Sequence, residues 1–201
     1  MINLNYLFPT PVWDTNISDQ IEEAGLSFEE LIKTCYIWEK SNQSRNRSNK
    51  GINSYQSNDL NFNNNNSITK LFTILNSLTQ SIYNSIWEET IQLDNAWINI
   101  NREGSSNVRH IHPGSVLSGI IYLKTPQNSG DIHILQDDQT CFTINTLGTV
   151  HTNNPYTTDG ISQKPEPGKV VIFPSYIPHR VEENRSKEDR ISIAFNYSQN
   201  H

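Results

Sequence analysis

The sequence predicts a mainly β (α+β) domain in which supporting helices come first and a strand-rich core follows. Two observations predict this class. Residues 68–86 carry apolar side chains at spacings of three and four, and from residue 93 onward short runs rich in Ile, Val, Tyr and Phe alternate with turn residues. Helices do not alternate with strands, which excludes a parallel βαβ sheet. We expect one domain over residues 1–201, with helical support and loop in 1–92 and a sandwich or small barrel in 93–201.

Composition and charge exclude several classes of protein. The 201-residue chain has a formal net charge of −6 and no block of basic residues, so charge gives no support to a nucleic-acid surface. No apolar run approaches the ~20 residues that a membrane span needs, and we expect no signal peptide. Cys35 and Cys141 lack the spacing of a disulfide framework, so we expect free thiols in a reducing compartment.

The first third of the chain is predicted to support the core rather than to carry chemistry. Two prolines make residues 5–14 an extended edge segment. Residues 18–40 are predicted to be helical, in one piece or two, with a capping box at Ser27–Glu30. The polar stretch 41–66 is predicted as a long loop and a candidate lid. Ser67 is then predicted to cap an amphipathic helix that extends to Ile86.

The remainder is predicted to consist of short strands separated by turns. Residues 146–168 form a loop-rich excursion near the rim and a second candidate lid. Six runs have the composition of strands, at residues 96–100, 116–123, 131–135, 141–145, 169–173 and 190–197.

Four residues in this strand-rich part suggest a metal site. His110 and His112 are two residues apart, and side chains at positions i and i+2 of a strand point to the same face. Imidazole is the commonest metal-ligand side chain. His179 ends another apolar run and supplies a third ligand, which leaves open coordination positions as a catalytic metal requires. Arg190, which opens the last predicted strand, is expected to bind an anion beside the metal.

The chain resembles a family of 2-oxoglutarate/Fe(II)-dependent oxygenases found in bacteria and phages. The resemblance implies a double-stranded β-helix (jelly-roll, cupin-like) core that uses Fe(II), 2-oxoglutarate and O₂. The matching pieces occur in one order along nearly the whole chain, at residues 7–13, 96–101, 110–123, 167–176, 179–181 and 190–196.

The resemblance also implies roles for individual residues. Arg190 takes the position whose guanidinium pairs with the C5 carboxylate of 2-oxoglutarate, and Ser192 lies on the same face and donates a hydroxyl to it. Tyr122, which shares its strand face with Ser118, is a further candidate contact for the co-substrate. The iron is implied to be held by three imidazoles, those of His110, His112 and His179.

Several alternatives stay open at this point. The wider superfamily places a carboxylate where this chain has His112, so Asp131 on the next predicted strand is a reserve third ligand. His133 is expected at the surface or supporting the site. Tyr122 is as compatible with a core position as with a site. For Arg190 the alternative is an ion pair on the rim, with Glu182, Glu183 or Asp189.

The predicted function is that of a non-haem Fe(II)- and 2-oxoglutarate-dependent oxygenase, in particular a hydroxylase. The alternatives are a cupin-like three-histidine metal enzyme that does not use 2-oxoglutarate, and a non-catalytic jelly-roll module. The substrate is expected to be a small molecule, a peptide or a nucleotide, and a homodimer is left open. We expect a cytoplasmic protein, in the host cytoplasm if a phage encodes it.

Overall fold

The computed structural model of the protein describes residues 10–45, 49–50, 54–62, 66–136 and 158–199. Within this part of the chain there are three helices, α1 (Ser18–Glu23), α2 (Phe28–Ser41) and α3 (Asn66–Asn84). The predicted strand at 141–145 and Cys141 lie outside the described residues. The described residues also form eleven strands: β1 (Trp13–Asn16), β2 (Asn49–Lys50), β3 (Tyr55–Gln56), β4 (Ile91–Asn101), β5 (Ser106–His110), β6 (Leu117–Lys124), β7 (Ile132–Leu135), β8 (Gly160–Gln163), β9 (Lys169–Pro174), β10 (His179–Val181) and β11 (Arg190–Gln199).

The helices lie where they were predicted, and residues 18–40 form two helices, one of the two predicted possibilities. The start and the end of α3 differ from the prediction. The Ser27 hydroxyl accepts a hydrogen bond from the Glu30 main-chain N–H at 3.2 Å, as a capping box requires. Ser67 is not a cap, because α3 begins one residue earlier and the buried Ser67 hydroxyl donates to the Glu30 carboxylate. The helix ends before Ile86, which is 49% exposed instead of continuing the apolar face. Among the described helices, none is long and apolar enough to cross a membrane.

The strands form two antiparallel sheets. The major sheet has six strands in the order β1-β9-β6-β11-β4-β3, and the minor sheet has five in the order β2-β5-β10-β7-β8. The prediction of a continuous loop over 41–66 is wrong in part, because β2 and β3 lie within it and residues 54–57 are buried. Strand β8 was not predicted, and β5 and β10 were expected only as strands that carry His110 and His179, not from their composition. They are short and largely polar, and pairing with neighbouring strands forms them where composition gives no signal.

Side chains along the strands of the major sheet point alternately to its two faces. One face packs on the helices, and the other faces the minor sheet. On β11, Ile191, Ile193 and Phe195 are fully buried in the core that packs on the helices. Arg190 and Ser192 alternate with them and therefore face the minor sheet. Helix α3 packs on the other side through Ile68, Leu71 and Leu75, which have no exposed surface. Burying each such side chain contributes roughly 1.5–3 kcal/mol, so the helices anchor the sheet that carries the site.

A second apolar cluster fills the space between the two sheets. It joins side chains of the major sheet to side chains of the minor sheet, namely Ile120, Tyr122, Val171, Phe173, Ile132, Ile134 and Val181. The candidate site residues lie beside this cluster and are shielded from solvent by it.

Candidate metal centre

Three imidazoles meet at one end of the minor sheet. His110 ends β5, His179 begins β10, and the two residues lie opposite each other in the antiparallel pairing. His112 follows two residues after β5. One ring nitrogen from each histidine lies within 4.8 Å of the others, and the ring centroids are 4.3–5.0 Å apart. The arrangement gives three nitrogen donors that could hold one metal ion.

Two details of the sequence prediction need correction. His110 and His112 are not on one strand, because β5 ends at His110 and His112 lies in the connection to β6. Asp131 is not part of the cluster, and its carboxylate instead accepts a hydrogen bond from the Ser162 hydroxyl at 2.8 Å. His133 points away from the cluster as expected, with Nε2 2.8 Å from Glu182 Oε1.

The main chain orients two of the three rings. Nδ1 of His110 lies 2.6 Å from the Val108 carbonyl oxygen, and Nδ1 of His179 lies 3.1 Å from the Ile177 carbonyl oxygen. A carbonyl oxygen can only accept, so each Nδ1 carries the hydrogen. Each Nε2 is then left with a lone pair for a metal, which is the usual way in which a ligating histidine is held.

Burial keeps the cluster neutral. Loss of solvent lowers the pKa of His110, and it lowers the pKa of His112 to about 4 and that of His179 to about 3. Repulsion from the neighbouring His110 adds to the shift at both of these residues. At neutral pH all three rings are therefore unprotonated, the form that binds metal. The donor set fits a divalent metal that accepts imidazole ligands.

The imidazoles open into a cavity between the sheets that also holds the predicted arginine. Arg190 and Ser192 line the cavity, and Asn101 and Asn99 lie opposite them on β4. Trp97 lines the end nearest the metal cluster, with its ring 5.5 Å from that of His112. The cavity thus joins the three imidazoles to a guanidinium.

Arg190 is a buried cation that is only half satisfied. The residue is 1% exposed, and burial lowers its pKa. Its Nη1 donates to the main-chain carbonyls of Ser129, Gly130 and Glu182, whereas Nη2 is buried without a partner. Among the residues described, no carboxylate forms an ion pair with it, so the predicted alternative of a rim salt bridge is wrong. A buried guanidinium with an unused arm fits the carboxylate of a bound ligand.

Ser192 and Tyr122 lie next to Arg190 in different ways. Ser192 is 2% exposed, lines the cavity and stands opposite Tyr122 in the β11–β6 pairing. Tyr122 is fully buried on the same face but lies behind the cavity lining. Its hydroxyl has no partner, and burial raises its pKa while the Arg190 charge lowers it. Two unpartnered polar atoms in one buried region fit an acidic group that accepts from both.

The sequence analysis missed the aromatic walls of the site. Trp97 faces His112, and Phe173 packs on His179 with its ring centroid 4.7 Å away. Alternation along the predicted strands would have placed Trp97 on the same face as Asn99 and Asn101. The contact between Trp97 and His112 could not be predicted, because it depends on the position of His112 beyond the end of β5.

The fold thus brings three imidazoles that could hold a metal ion and the buried guanidinium of Arg190 to one cavity. A family described as "Putative 2OG-Fe(II) oxygenase" matches residues 95–196, a region that contains the histidines and Arg190. The chain belongs to this family of 2-oxoglutarate- and Fe(II)-dependent oxygenases. Among curated proteins no sequence matches this one.

Solved structures with the same fold have little sequence in common with the chain. A prolyl-4-hydroxylase from Pseudomonas putida is 12% identical with a TM-score of 0.68, and the alignment covers 96% of this chain and 94% of that one. A viral collagen prolyl hydroxylase from Paramecium Bursaria Chlorella virus-1, in complex with 2OG, is 15% identical with a TM-score of 0.59, covering 92% and 94%. A prolyl hydroxylase from Trichoplax adhaerens is 15% identical with a TM-score of 0.65, covering 94% and 83%.

These findings confirm the predicted fold and reaction class. The two-sheet core is the double-stranded β-helix of 2-oxoglutarate oxygenases. The chain is an oxygenase that uses Fe(II), 2-oxoglutarate and O₂. At identities of 12–15%, these neighbours show a shared fold and do not indicate the substrate of this protein. The substrate has to be inferred from the site.

Proposed function

We propose that the protein is a hydroxylase in which His110, His112 and His179 bind Fe(II) and Arg190 binds 2-oxoglutarate. The observation that carries this assignment is that the neutral imidazole cluster and the half-satisfied Arg190 line one cavity. Bound iron supplies the activation of O₂, which oxidatively decarboxylates 2-oxoglutarate to succinate and CO₂ and oxidises a C–H bond of the substrate.

The protein's own residues orient the co-substrate. The unused Nη2 of Arg190 faces a buried region, so a carboxylate placed there gains a charge-assisted hydrogen bond without loss of an existing one. Ser192 lies two residues away on the same face and adds a hydroxyl donor from the cavity wall. The buried Tyr122 hydroxyl, which has no partner, is a candidate second donor behind this wall. Arg190 therefore fixes one end of 2-oxoglutarate and directs the other end toward the imidazoles.

The substrate is expected to approach on the side of Trp97. Ile111 and Tyr176 are 44% and 68% exposed, and each is one residue away from the hydrogen bond between the His112 N–H and the Ser175 carbonyl. Ile111 and Tyr176 therefore expose apolar and aromatic surface beside the main chain that carries His112, and Trp97 lines the cavity at His112. A substrate that presents an apolar group gains contact here, whether it is a small molecule, a peptide side chain or part of a nucleotide.

Turnover in the absence of a known substrate tests the proposal. Anaerobically purified protein is loaded with Fe(II) and mixed with 2-oxoglutarate and O₂, and succinate is quantified by NMR. Uncoupled turnover should release succinate with incorporation of one oxygen atom from ¹⁸O₂. The His110→Ala variant should lose both iron and succinate formation.

One result favours each alternative function. Iron binding with O₂-dependent chemistry that ignores 2-oxoglutarate would identify a three-histidine enzyme of the cupin type. Failure of the wild-type protein to take up Fe(II), Mn(II) or Co(II) would identify a non-catalytic module with packed histidines. Equal succinate formation by wild-type and His110→Ala proteins would refute the ligand assignment.

A further inference from the structure

A row of polar side chains, three of them buried and Asn95 half-buried, crosses the cavity side of the major sheet from β4 to the residue that follows β9. Asn95 on β4 lies opposite Asn196 on β11, and Asn196 lies opposite Ser118 on β6. Ser175 follows directly after β9, the next strand in the sheet. Ser175, Ser118 and Asn196 are 0%, 1% and 4% exposed. These four residues, Asn95, Asn196, Ser118 and Ser175, are called the polar row below.

The hydrogen bonds of the polar row run in one direction. Asn196 Nδ2 donates to Asn95 Oδ1 at 2.8 Å, and Asn196 Oδ1 accepts from the Ser118 hydroxyl at 2.7 Å. Ser118 has a single hydroxyl hydrogen, so the contact of 2.8 Å with Ser175 is donated by Ser175. Asn95 Nδ2 completes the series by donating to the Asp94 carboxylate at 3.1 Å. Each member of the series therefore donates to the next one, and the series ends on the carboxylate of the exposed Asp94.

Ser175 at one end of the polar row, and Asp94 beyond the other end, both contact the connection that carries His112. The Ser175 carbonyl accepts from the His112 N–H at 3.0 Å, and the Ser175 N–H donates to the Val116 carbonyl at 3.1 Å. Beyond the other end, the Asp94 carboxylate accepts from the Ser115 hydroxyl at 3.4 Å. The connection of residues 111–116 is thus held at its start and at its end.

His112 needs this support more than the other two imidazoles do. His110 and His179 are on paired strands, where the antiparallel ladder fixes their main chain. His112 has left β5, and its main-chain N–H is bonded to Ser175 and not to a strand of the minor sheet. A metal site requires its ligands to be held to within about 0.5 Å. An apolar row would fill the same space, whereas a hydrogen-bonded row also fixes the position of the Ser175 turn.

We propose that Ser118, Ser175 and Asn196 are positioning residues that fix the main chain at His112 and so place the third imidazole for the metal. The inference rests on the proposed role of His112 as a ligand. In this arrangement the hydrogen bonds of neutral side chains fix the main chain of His112, as strand pairing fixes the main chains of His110 and His179.

The test measures metal binding to variants of the full chain. Ser118→Ala removes the central hydroxyl and leaves the Ser175 donor and the Asn196 acceptor without their partner. Affinity for Co(II) should fall about tenfold, as is usual when a residue that supports a metal ligand is lost. The absorption spectrum of the Co(II) protein should also change, because it reports the positions of the ligands. Ser118→Thr retains the hydroxyl and should restore both properties.

A matched control separates positioning from general destabilisation. Thr79→Val removes another buried hydroxyl, one that donates to the Leu75 carbonyl within α3 at 2.7 Å. This variant should keep the wild-type Co(II) affinity and spectrum even where its melting temperature falls. Ser175→Ala leaves the Ser118–Asn196 bond intact and serves in place of Ser118→Ala where that variant does not fold.

The outcomes distinguish this inference from the proposed function. Loss of Co(II) binding in His112→Ala together with wild-type affinity and spectrum in Ser118→Ala or Ser175→Ala overturns the positioning role alone. Unchanged binding in His112→Ala overturns the ligand assignment and the inference with it. The inference is supported when the polar-row variants weaken binding and alter the spectrum, and Thr79→Val does neither.

Discussion

Replacing Arg190 with Gln tests whether this side chain binds the co-substrate or only braces the fold. In the wild-type protein Nη1 donates to three main-chain carbonyls, and Nη2 is buried without a partner. Gln keeps an amide N–H donor on a shorter polar side chain and removes the charge. Ala would leave all three carbonyls without any side-chain donor, at about 1–3 kcal/mol for each buried group. Gln is therefore expected to destabilise the fold less than Ala does.

The structure sets the expected size of the effect. Truncating one partner of a buried, hydrogen-bonded charge pair costs about 2–5 kcal/mol of binding free energy. The dissociation constant for 2-oxoglutarate should therefore rise roughly 30- to 5000-fold. Arg190→Lys keeps the charge but loses the second arm, so its affinity should fall between those of the wild type and Arg190→Gln. The metal affinity of Arg190→Gln should be unchanged or slightly higher than that of the wild type, since this variant removes a nearby positive charge.

Titration calorimetry under anaerobic conditions measures these affinities. Mn(II)-loaded protein is titrated with 2-oxoglutarate, and thermal unfolding followed by circular dichroism shows that each variant is folded. The reasoning is wrong if folded, metal-loaded Arg190→Gln binds 2-oxoglutarate as tightly as the wild type. Arg190 would then be a brace that ties β11 to the connection between β6 and β7.

Three further predictions concern the metal ligands, pH and the turn beside the arginine. His112→Ala should weaken Fe(II) binding at least tenfold and Asp131→Ala should leave it within threefold, whereas the reverse order would identify the carboxylate as the ligand. Unfolding free energy of the metal-free protein should fall as the pH drops from about 7 to about 4, because unfolded histidine takes up a proton near pH 6.5 while folded His112 and His179 have pKa values of about 4 and 3. Chemical denaturation of His179→Gln should show a flatter pH dependence, by up to about 1.4 kcal/mol per pH unit, and an unchanged slope would contradict the assigned shift. Gly130→Ala should unfold at lower temperature than Gly104→Ala, because both residues have positive φ but only a Cβ at Gly130 would lie 2.7 Å from a main-chain oxygen. Equal melting temperatures of the two variants would show that the turn at Gly130 can adjust to accommodate a Cβ atom.

The spacing of apolar residues and the resemblance to the oxygenase family were sufficient to predict the class of fold and most of the long helices and strands. The α3 pattern and the apolar runs of β6, β9 and β11 depend on side chains that the core must bury, so they are visible in the sequence. Strands of three to five residues such as β5 and β10 carry no such pattern. They form because their neighbours offer unpaired main-chain groups, which is a property of the tertiary structure.

The sequence predicted which residues lie together at the cavity but not their geometry, and the roles of these residues stay predictions. The three histidines and Arg190 were singled out correctly as neighbours in space, because each stands at an end of an apolar run. The position of His112 beyond β5 could not be predicted, since it depends on where pairing with β10 ends. The polar row escaped detection for a related reason. Its members are far apart in sequence, and strand register alone brings them together.

The proposed ligand set of three imidazoles has an electrostatic consequence for how the site would bind Fe(II) and 2-oxoglutarate. Among the described residues that line the cavity there is no carboxylate, and Arg190 is a cation. A divalent metal therefore meets only neutral ligands and a positive neighbour, and the negative charge must come from 2-oxoglutarate itself. Metal and co-substrate each reduce the cost of binding the other, and this coupling is reciprocal by linkage. A carboxylate ligand would neutralise part of the metal charge in advance and weaken the coupling. A site built from His110, His112 and His179 consequently favours occupation by both ligands over occupation by one.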